Sequence, residues 1–471
     1  MTRNTTTDYD QVHYPARVYA VSDPSRLAAL ARLHGLAAPD PATARVLEIA
    51  GGDGINLVAM AAAWPRAHFV SFDLASSAVE RGRALAAAAG LGNVEVVVGD
   101  VLDWADQATG QFDYVIAHGL YAWVPPPMRD ATLRLIDRVL SDTGVAFISY
   151  NALPGGYLRQ AVRAMVLHHV RDEADPDRRI TLARERLGEF VIAHPDDSAP
   201  LAGLRQVARP MLEKPAGVLF HDELSDAYAP QLLSEVVHAA AAHGLAFLND
   251  ATPSMIRDGL PGLDVPESAI VDLAQADDFA VLAFFHETLL VRPGRAPARR
   301  VVAAHFREML ATTTLRPAGA GRFSAGEAAV EIDDPRLCEI LTLMGRLAPW
   351  RLPLDSLADS VEHCEALIEL VRRDLVVLHA AQLPAVQRAG DRPEASALAR
   401  TQLTLGGTQV FALDLTTIEL GEPSVRHFVC LMDGTRDRAA LARDWAASPW
   451  GDVIDAATAV DQIALAGLLL A

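Results

Sequence analysis

The chain has 471 residues, 51% of them hydrophobic, and a formal net charge of −19. That length and apolar content exceed what one domain needs, and the acidic balance opposes binding to nucleic acid or anionic lipid while suiting a basic partner. No run of eighteen apolar residues and no leader-like opening occurs, which predicts no membrane association. The cysteines (Cys338, Cys364 and Cys430) have neither disulfide nor zinc spacing, so a reducing cytoplasm is the expected compartment. Lys214 is the sole lysine, and it is the one possible self-modification site should the acceptor be lysine.

Residues 1–7 are polar and expected to be disordered. Tyr9, Tyr14, Pro15 and Tyr19 lead into an amphipathic helix over Pro24–Leu33, with Leu27, Leu30 and Leu33 on its buried stripe. Residues 1–40 are read as an arm and lid helix; Tyr14 is either a lid over a ligand or an aromatic pin for the arm.

The core is read over 41–151. Val46-Leu-Glu-Ile-Ala-Gly-Gly-Asp-Gly54 is a strand followed by a glycine-rich turn, and a second strand ends at Asp73. Gly51, Gly52 and Gly54 let backbone amides approach a ligand, because no Cβ intervenes. Those amides and the start of the next helix near Asn56 favour negative groups, while Asp73, followed by Leu74, suits a ribose diol. A dinucleotide fingerprint fails, because Leu57 or Asp53 stands where glycine is needed. Val94-Glu-Val-Val-Val-Gly-Asp100 is a third strand, Gln111–His118 a fourth and Gly144–Tyr150 a fifth; helices over Ile55–Ala63, Ser76–Ala89 and Met128–Leu140 alternate with them. This alternation predicts a doubly wound, Rossmann-like α/β sheet whose ligand lies beyond the strands' carboxyl ends, at Ala50, Asp73, Asp100 and His118.

Residues 152–295 form a helical middle region, with helices over 157–171, 178–192 and 230–243, where a cleft cover or a homodimer surface is expected. Leu245–Leu248 and Glu287–Val291 are expected to complete a seven-stranded sheet. In 296–384, helices over 335–347, 354–358 and 361–373 and a strand over 375–379 suggest a winged helix; the acidic setting argues against a nucleic-acid role. Ala385–Ala397 reads as a linker to a final unit, 398–471, with strands near 402–405 and 410–413 and helices near 424–431, 438–446 and 453–470.

The glycine turn resembles motif I of class I S-adenosylmethionine-dependent methyltransferases: Glu48, Gly52 and Gly54 match, while Ala50 replaces the first glycine and bears on cofactor affinity. The resemblance implies that Asp100 and Val101 contact the adenine. Phe112-Asp-Tyr-Val-Ile-Ala-His-Gly-Leu-Tyr-Ala-Trp-Val124, Ser149-Tyr-Asn-Ala-Leu-Pro-Gly155 and Leu431-Met-Asp-Gly-Thr-Arg-Asp437 are similar to one branch. It comprises bacterial methyltransferases with a methyltransferase regulatory domain and includes protein-lysine methyltransferases. Ala122 and Gly156 depart from that branch's usual serine and aromatic residue, in parts that face the substrate.

Transfer from a sulfonium requires an aligned, unprotonated nucleophile and a site shielded from water, and desolvation beside a cation itself helps deprotonate an amine. Tyr121, Trp123, Tyr150 and Asn151 follow the fourth and fifth strands, where aromatic faces hold an ammonium and the amide orients it. Tyr121 and Trp123 are equally readable as loop anchors. His118 is the candidate base, or else it packs on the cofactor and binds its carboxylate. No metal is expected, since Asp113 lies at the wrong end of its strand. The favoured acceptor is a protein or peptide side chain, foremost lysine nitrogen; the alternatives are a small-molecule acceptor of specialised metabolism and a cofactor-binding scaffold without turnover.

Overall fold

The computed structural model describes residues 8–15, 17–192, 198–251, 267–299, 301, 303–451 and 455–470, so the expectation for residues 1–7 lies outside it. Helices α1 (Asp8–Gln11) and α2 (Pro24–Leu33) precede strand β1 (Arg45–Ile49). There follow α3 (Ile55–Ala63), β2 (His68–Asp73), α4 (Ser76–Ala88), β3 (Val94–Val98), α5 (Val101–Gln107), β4 (Phe112–Ala117), α6 (Pro126–Val139) and β5 (Leu140–Asn151). The middle region supplies α7 (Gly155–Val170), α8 (Pro176–Phe190), α9 (Ala199–Leu212), α10 (Ala216–Glu223), α11 (Leu233–Ala242), β6 (Ala246–Asp250), α12 (Glu267–Val281) and β7 (Phe285–Val291).

These seven strands form one sheet in the order β3-β2-β1-β4-β5-β7-β6. The first five pair in parallel, and β7 runs antiparallel between β5 and β6. Strands covered by helices on both faces read as continuous apolar runs rather than alternating ones. Accordingly, Val46, Leu47 and Ile49 in β1 and Val115, Ile116 and Ala117 in β4 are all fully buried. The expected seven-stranded α/β architecture is therefore present, with α12 in the long connection between β6 and β7.

Downstream come α13 (Ala303–Arg307), β8 (Leu310–Thr313), β9 (Arg316–Gly319), β10 (Arg322–Ala325), β11 (Ala328–Glu331), α14 (Pro335–Leu347), β12 (Leu352–Pro353), α15 (Leu354–Leu357), α16 (Val361–Arg372) and β13 (Val376–His379). The three expected helices and the strand after them lie where the sequence placed them. The segment is not an independent lobe: one apolar cluster runs from Leu27 in α2 through Met60 in α3 to Phe306, Leu341 and Leu367. For the same reason α2 is no lid. It is a core helix, capped by Asp23 and started by Pro24, with Leu27, Leu30 and Leu33 buried.

The final unit holds α17 (Ala397–Thr404), β14 (Gln409–Phe411), β15 (Thr417–Glu419), α18 (Pro423–Leu431), α19 (Arg438–Ala446) and α20 (Ala456–Leu465). The strand expected at Gln402–Leu405 is instead the end of α17, because Ala399 and Leu403 turn one helical face into the unit's core while Leu398 packs into the main one. Nor is Ala385–Ala397 a free linker. Ala389 and Ala395 are buried in that core, and Val386 and Ala395 donate backbone hydrogen bonds to Leu469 and Met432.

Candidate active site

A cavity of about 680 Å³ opens at the carboxyl ends of the parallel strands, within the roughly 300–1,000 Å³ usual for ligand sites. Of the candidate cofactor residues, Tyr14, Glu48, Ala50, Gly51, Gly52, Asn56, Asp73, Leu74, Asp100, Val101 and His118 line it. Gly54 does not; it shapes the turn instead, with φ +68° at the N-terminus of α3. Gly52 is also left-handed, at φ +63°, with open space where a side chain would stand. At Gly51 an added Cβ would lie 2.2 Å from Ser71 Oγ and 2.5 Å from Glu48 Oε2, so no larger residue fits.

Asp73 is held in place by its neighbours: Gly52 N donates to Oδ2 at 2.9 Å and Ala75 N to Oδ1 at 2.8 Å. Asp100 caps α5 through Leu102 N at 2.9 Å. Glu48 is buried and receives hydrogen bonds from Asn56 Nδ2 at 2.8 Å and Ser71 Oγ at 3.3 Å. Burial pushes its carboxyl up to about 7 against the pull of those two donors. Asn56 in turn accepts from Tyr19 N at 2.9 Å and donates to Ser22 Oγ at 3.2 Å, tying the N-terminal arm to the glycine turn. These residues fit an adenosyl group with a charged amino-acid tail. Two acidic strand tips stand beside a turn that no side chain obstructs, and Glu48 lies within the same hollow.

His118 follows β4 and lies under Tyr19, with ring centroids 3.7 Å apart. Ser149 Oγ is 2.9 Å from His118 Nδ1 and accepts from Gly119 N at 2.8 Å. The Ser149 hydroxyl thus holds the imidazole at Nδ1 and ties it to the Gly119 backbone. Burial lowers the imidazole to about 4, so it is neutral and weakly basic near pH 7. Geometry and basicity together favour cofactor packing over the base role.

The catalytic candidates divide. Trp123 and Asn151 line the cavity, whereas Tyr121 and Tyr150 do not. Tyr150 is fully buried with its hydroxyl 2.9 Å from Thr288 Oγ1, and Tyr121 is 4% exposed; both are core residues, because Tyr150 lies within β5 beside β7 and the loop after β4 packs Tyr121 against it, with ring centroids 6.0 Å apart. The Asn151 amide has no hydrogen-bond partner among the described residues and is the polar group available at the tip of β5. Trp123 is walled in by Arg159 and Arg163, at 5.3 and 5.4 Å from its ring, and by Tyr228 at 4.9 Å. Gly156 could not carry the aromatic residue usual in the resembled branch, since a Cβ there would lie 2.7 Å from Pro230.

Sequence reasoning missed the cavity wall contributed by α10 and the middle helices, namely Arg159, His221 and Asp222, together with Arg17 and Phe285. No local motif marks them. The arm docks on α10: Tyr9 stacks on His221 at 4.0 Å, Tyr14 meets it edge-on at 5.8 Å, and His221 Nε2 lies 2.7 Å from Val12 O. Tyr14 is therefore both cavity lining and arm pin. Lys214 lies outside the lining; its Nζ donates to Asp222 Oδ2 at 2.6 Å and Glu223 Oε1 at 2.8 Å. Its place outside the cavity argues against Lys214 as an acceptor.

The sheet order, the glycine turn and the acidic strand tips define a class I methyltransferase fold. Residues 46–144 match the family model for a methyltransferase domain, and residues 391–450 that for a PKMT C-terminal winged-helix domain. The winged-helix match thus falls on the final unit rather than on 296–384. Two uncharacterised proteins of Rickettsia prowazekii are 34% identical over 60% of this chain and 35% identical over 34% of it. The matched segments span 52% and 64% of those relatives' own lengths. PKMT2 from Rickettsia typhi, solved also in complex with AdoHcy, superposes with a TM-score of 0.80 at 20% identity, covering 97% of this chain and 100% of that one. The chain thus carries a methyltransferase domain and a winged-helix unit of the PKMT type, and it resembles bacterial protein-lysine methyltransferases in fold.

Proposed function

We propose that the chain is an S-adenosylmethionine-dependent methyltransferase acting on a protein or peptide side chain, foremost lysine nitrogen. The observation that carries this reading is the convergence of Gly51, Gly52, Asp73, Asp100 and His118 on one cavity. When bound, S-adenosylmethionine supplies a methyl group already activated by a positive sulfur. Asp73 holds the ribose, Asp100 and Val101 bracket the base, and the glycine turn with Glu48 receives the amino-acid tail. Tyr19 and Phe285, with ring centroids 3.7 and 6.4 Å from that of His118, exclude water from the transfer point. Asn151 orients the incoming amine, whose lone pair makes the new N–C bond while its surplus proton leaves to solvent.

The protein acceptor is favoured by the PKMT-type winged-helix match and by the net acidity, which suits basic partners. A cytoplasmic site of action accords with three free cysteines, and no helix among the described residues is long and apolar enough to cross a membrane. Incubation with methyl-labelled S-adenosylmethionine and cell lysate tests the reading, with label expected in protein bands. Label confined to small molecules would transfer the assignment to the metabolite alternative, and no label at all would sink both. Asp73→Ala is expected to weaken cofactor binding at least about tenfold by calorimetry, the loss of a charge-assisted hydrogen-bond acceptor. Unchanged affinity would refute the ribose assignment.

A further inference from the structure

The wall contributed by α10 carries a carboxylate that the cofactor contacts leave unused. Asp222 lines the cavity beside Trp123, Arg159 and His221. Its Oδ2 accepts from Lys214 Nζ at 2.6 Å and lies 3.8 Å from Arg159 Nη2. Its Oδ1 has no hydrogen bond among the described residues. The Asp222 main-chain carbonyl is gripped by Arg159 and Arg163, so the residue's place does not depend on its side chain. Three cations (Arg159, Arg163 and Lys214) face two carboxylates (Asp222 and Glu223), leaving one positive charge in excess. Lys214 is the cation most easily spared. It sits between α9 and α10 with its side chain 22% exposed, and the fully buried Glu223 keeps both arginines without it.

We propose that Asp222 is the specificity residue that recognises the ammonium of an acceptor lysine, and that Lys214 attenuates this recognition by drawing charge to Oδ2. The inference rests on the lysine-acceptor reading above. A carboxylate with one oxygen engaged from outside the cavity and the other unclaimed presents a cation acceptor on the cavity side, and neighbouring aromatic rings favour an ammonium further. Lys214 contacts the same group with the same chemistry an acceptor lysine would use. Any neutralisation it provides is lost to the acceptor.

The two residues make opposite demands, and a purely structural cluster would not. With the full chain, initial rates of label transfer from S-adenosylmethionine are measured against lysate protein concentration. Asp222→Asn is expected to raise the apparent KM for protein about 10–100-fold, the loss of one charge-assisted contact, with cofactor affinity unchanged. Lys214→Met is expected to lower that KM. The Lys214→Met chain contains no lysine, so label on its own band cannot come from lysine self-modification. An unchanged KM in Asp222→Asn, or a shift of both variants in the same direction, would overturn the proposal. If the unaltered chain labels no protein at all, the lysine-acceptor reading has failed and this inference goes with it.

Discussion

Ala50 adopts φ +55°, the left-handed region that side chains disfavour, at the point where β1 turns toward the cavity. It is also the position at which the methyltransferase motif carries glycine, so the departure seen in the sequence is a strained residue in the fold. A Cβ in that conformation costs about 1–2 kcal/mol, and a glycine would add back about 0.4–1 kcal/mol of unfolded-chain entropy. Ala50→Gly should therefore be more stable by about 0.5 kcal/mol in urea titrations and should bind cofactor more tightly by calorimetry, since a methyl group leaves the cavity lining. Ala50→Val, branched at Cβ, should lose both stability and affinity. If the glycine variant proves less stable, the strain is not real. The neighbouring residues differ in how far sequence alone could place them. Asp73 and Asp100 were legible because a strand's end fixes where its last side chains go. Tyr121 and Tyr150 were not: the closure of the loop after β4 decides that Tyr121 faces the core, and Tyr150 lies within β5 rather than beyond it, with its hydroxyl against Thr288 of β7.

At the scale of elements, the far edge of the sheet is fastened by one buried cation. His286 in β7 has Nδ1 2.5 Å from Asp250 Oδ2 at the end of β6 and Nε2 3.0 Å from Asp278 Oδ2 in α12. Burial lowers the imidazole, but the two carboxylates more than compensate and hold it up to about 10. The folded value lies above the ordinary 6.5, so its stabilisation is complete below pH 6.5 and is lost as pH rises through about 10. His286→Gln should be destabilised by about 3 kcal/mol at pH 7, since two buried acids lose their cation. The gap to the unaltered chain should shrink between pH 7 and 10.5 in denaturant titrations; a pH-independent gap would mean that the imidazole is not charged. Elements with a marked apolar run or helical period, β1 to β4 and α14 to α16, follow from the sequence to within about two residues, whereas β5 begins four residues before the expected Gly144. The α9, α10 and α12 helices and the β8 to β11 strands do not. Pro210 inside α9 reads as a helix breaker, and β9 is exposed at every position, so hydrophobic period gives no signal for that strand. Gln402–Leu405 alternates like a strand, yet Ala399 and Leu403 commit it to a helix through the core they share with α18 and α19. The α10 wall of the cavity belongs to this illegible part, which is why Asp222 and His221 surface only once the chain is folded.

Across the whole molecule, the downstream region is bolted to the arm that covers the cofactor site. Arg351, 3% exposed, donates to Asp23 Oδ2 at 3.0 Å and to Ser25 Oγ at 3.0 Å, while Trp64 Nε1 reaches Asp23 Oδ1 at 3.3 Å. Asp23 caps α2, and one residue earlier Ser22 bonds both Tyr19 O and Asn56, whose amide holds Glu48 beneath the glycine turn. Buried hydrogen bonds on either side of the Ser22–Asp23 peptide thus link residue 351 to the cavity floor, and Ala380 and Ala381 add backbone donors to Ser25 Oγ. Removing the cation alone leaves a buried acid unpaired, so Arg351→Met should cost about 3–5 kcal/mol. The companion change Asp23→Asn should restore a good part of it, because the pair as a unit is worth far less than either broken half. The coupling is read separately. If these bonds position Tyr19 and Asn56, cofactor affinity should fall in Arg351→Met at temperatures where the chain is still folded, and should recover in the double variant. A loss of stability with cofactor affinity intact would make the bolt a fastening of two regions and nothing more, and the C-terminal region would then have no say in how the cofactor is held.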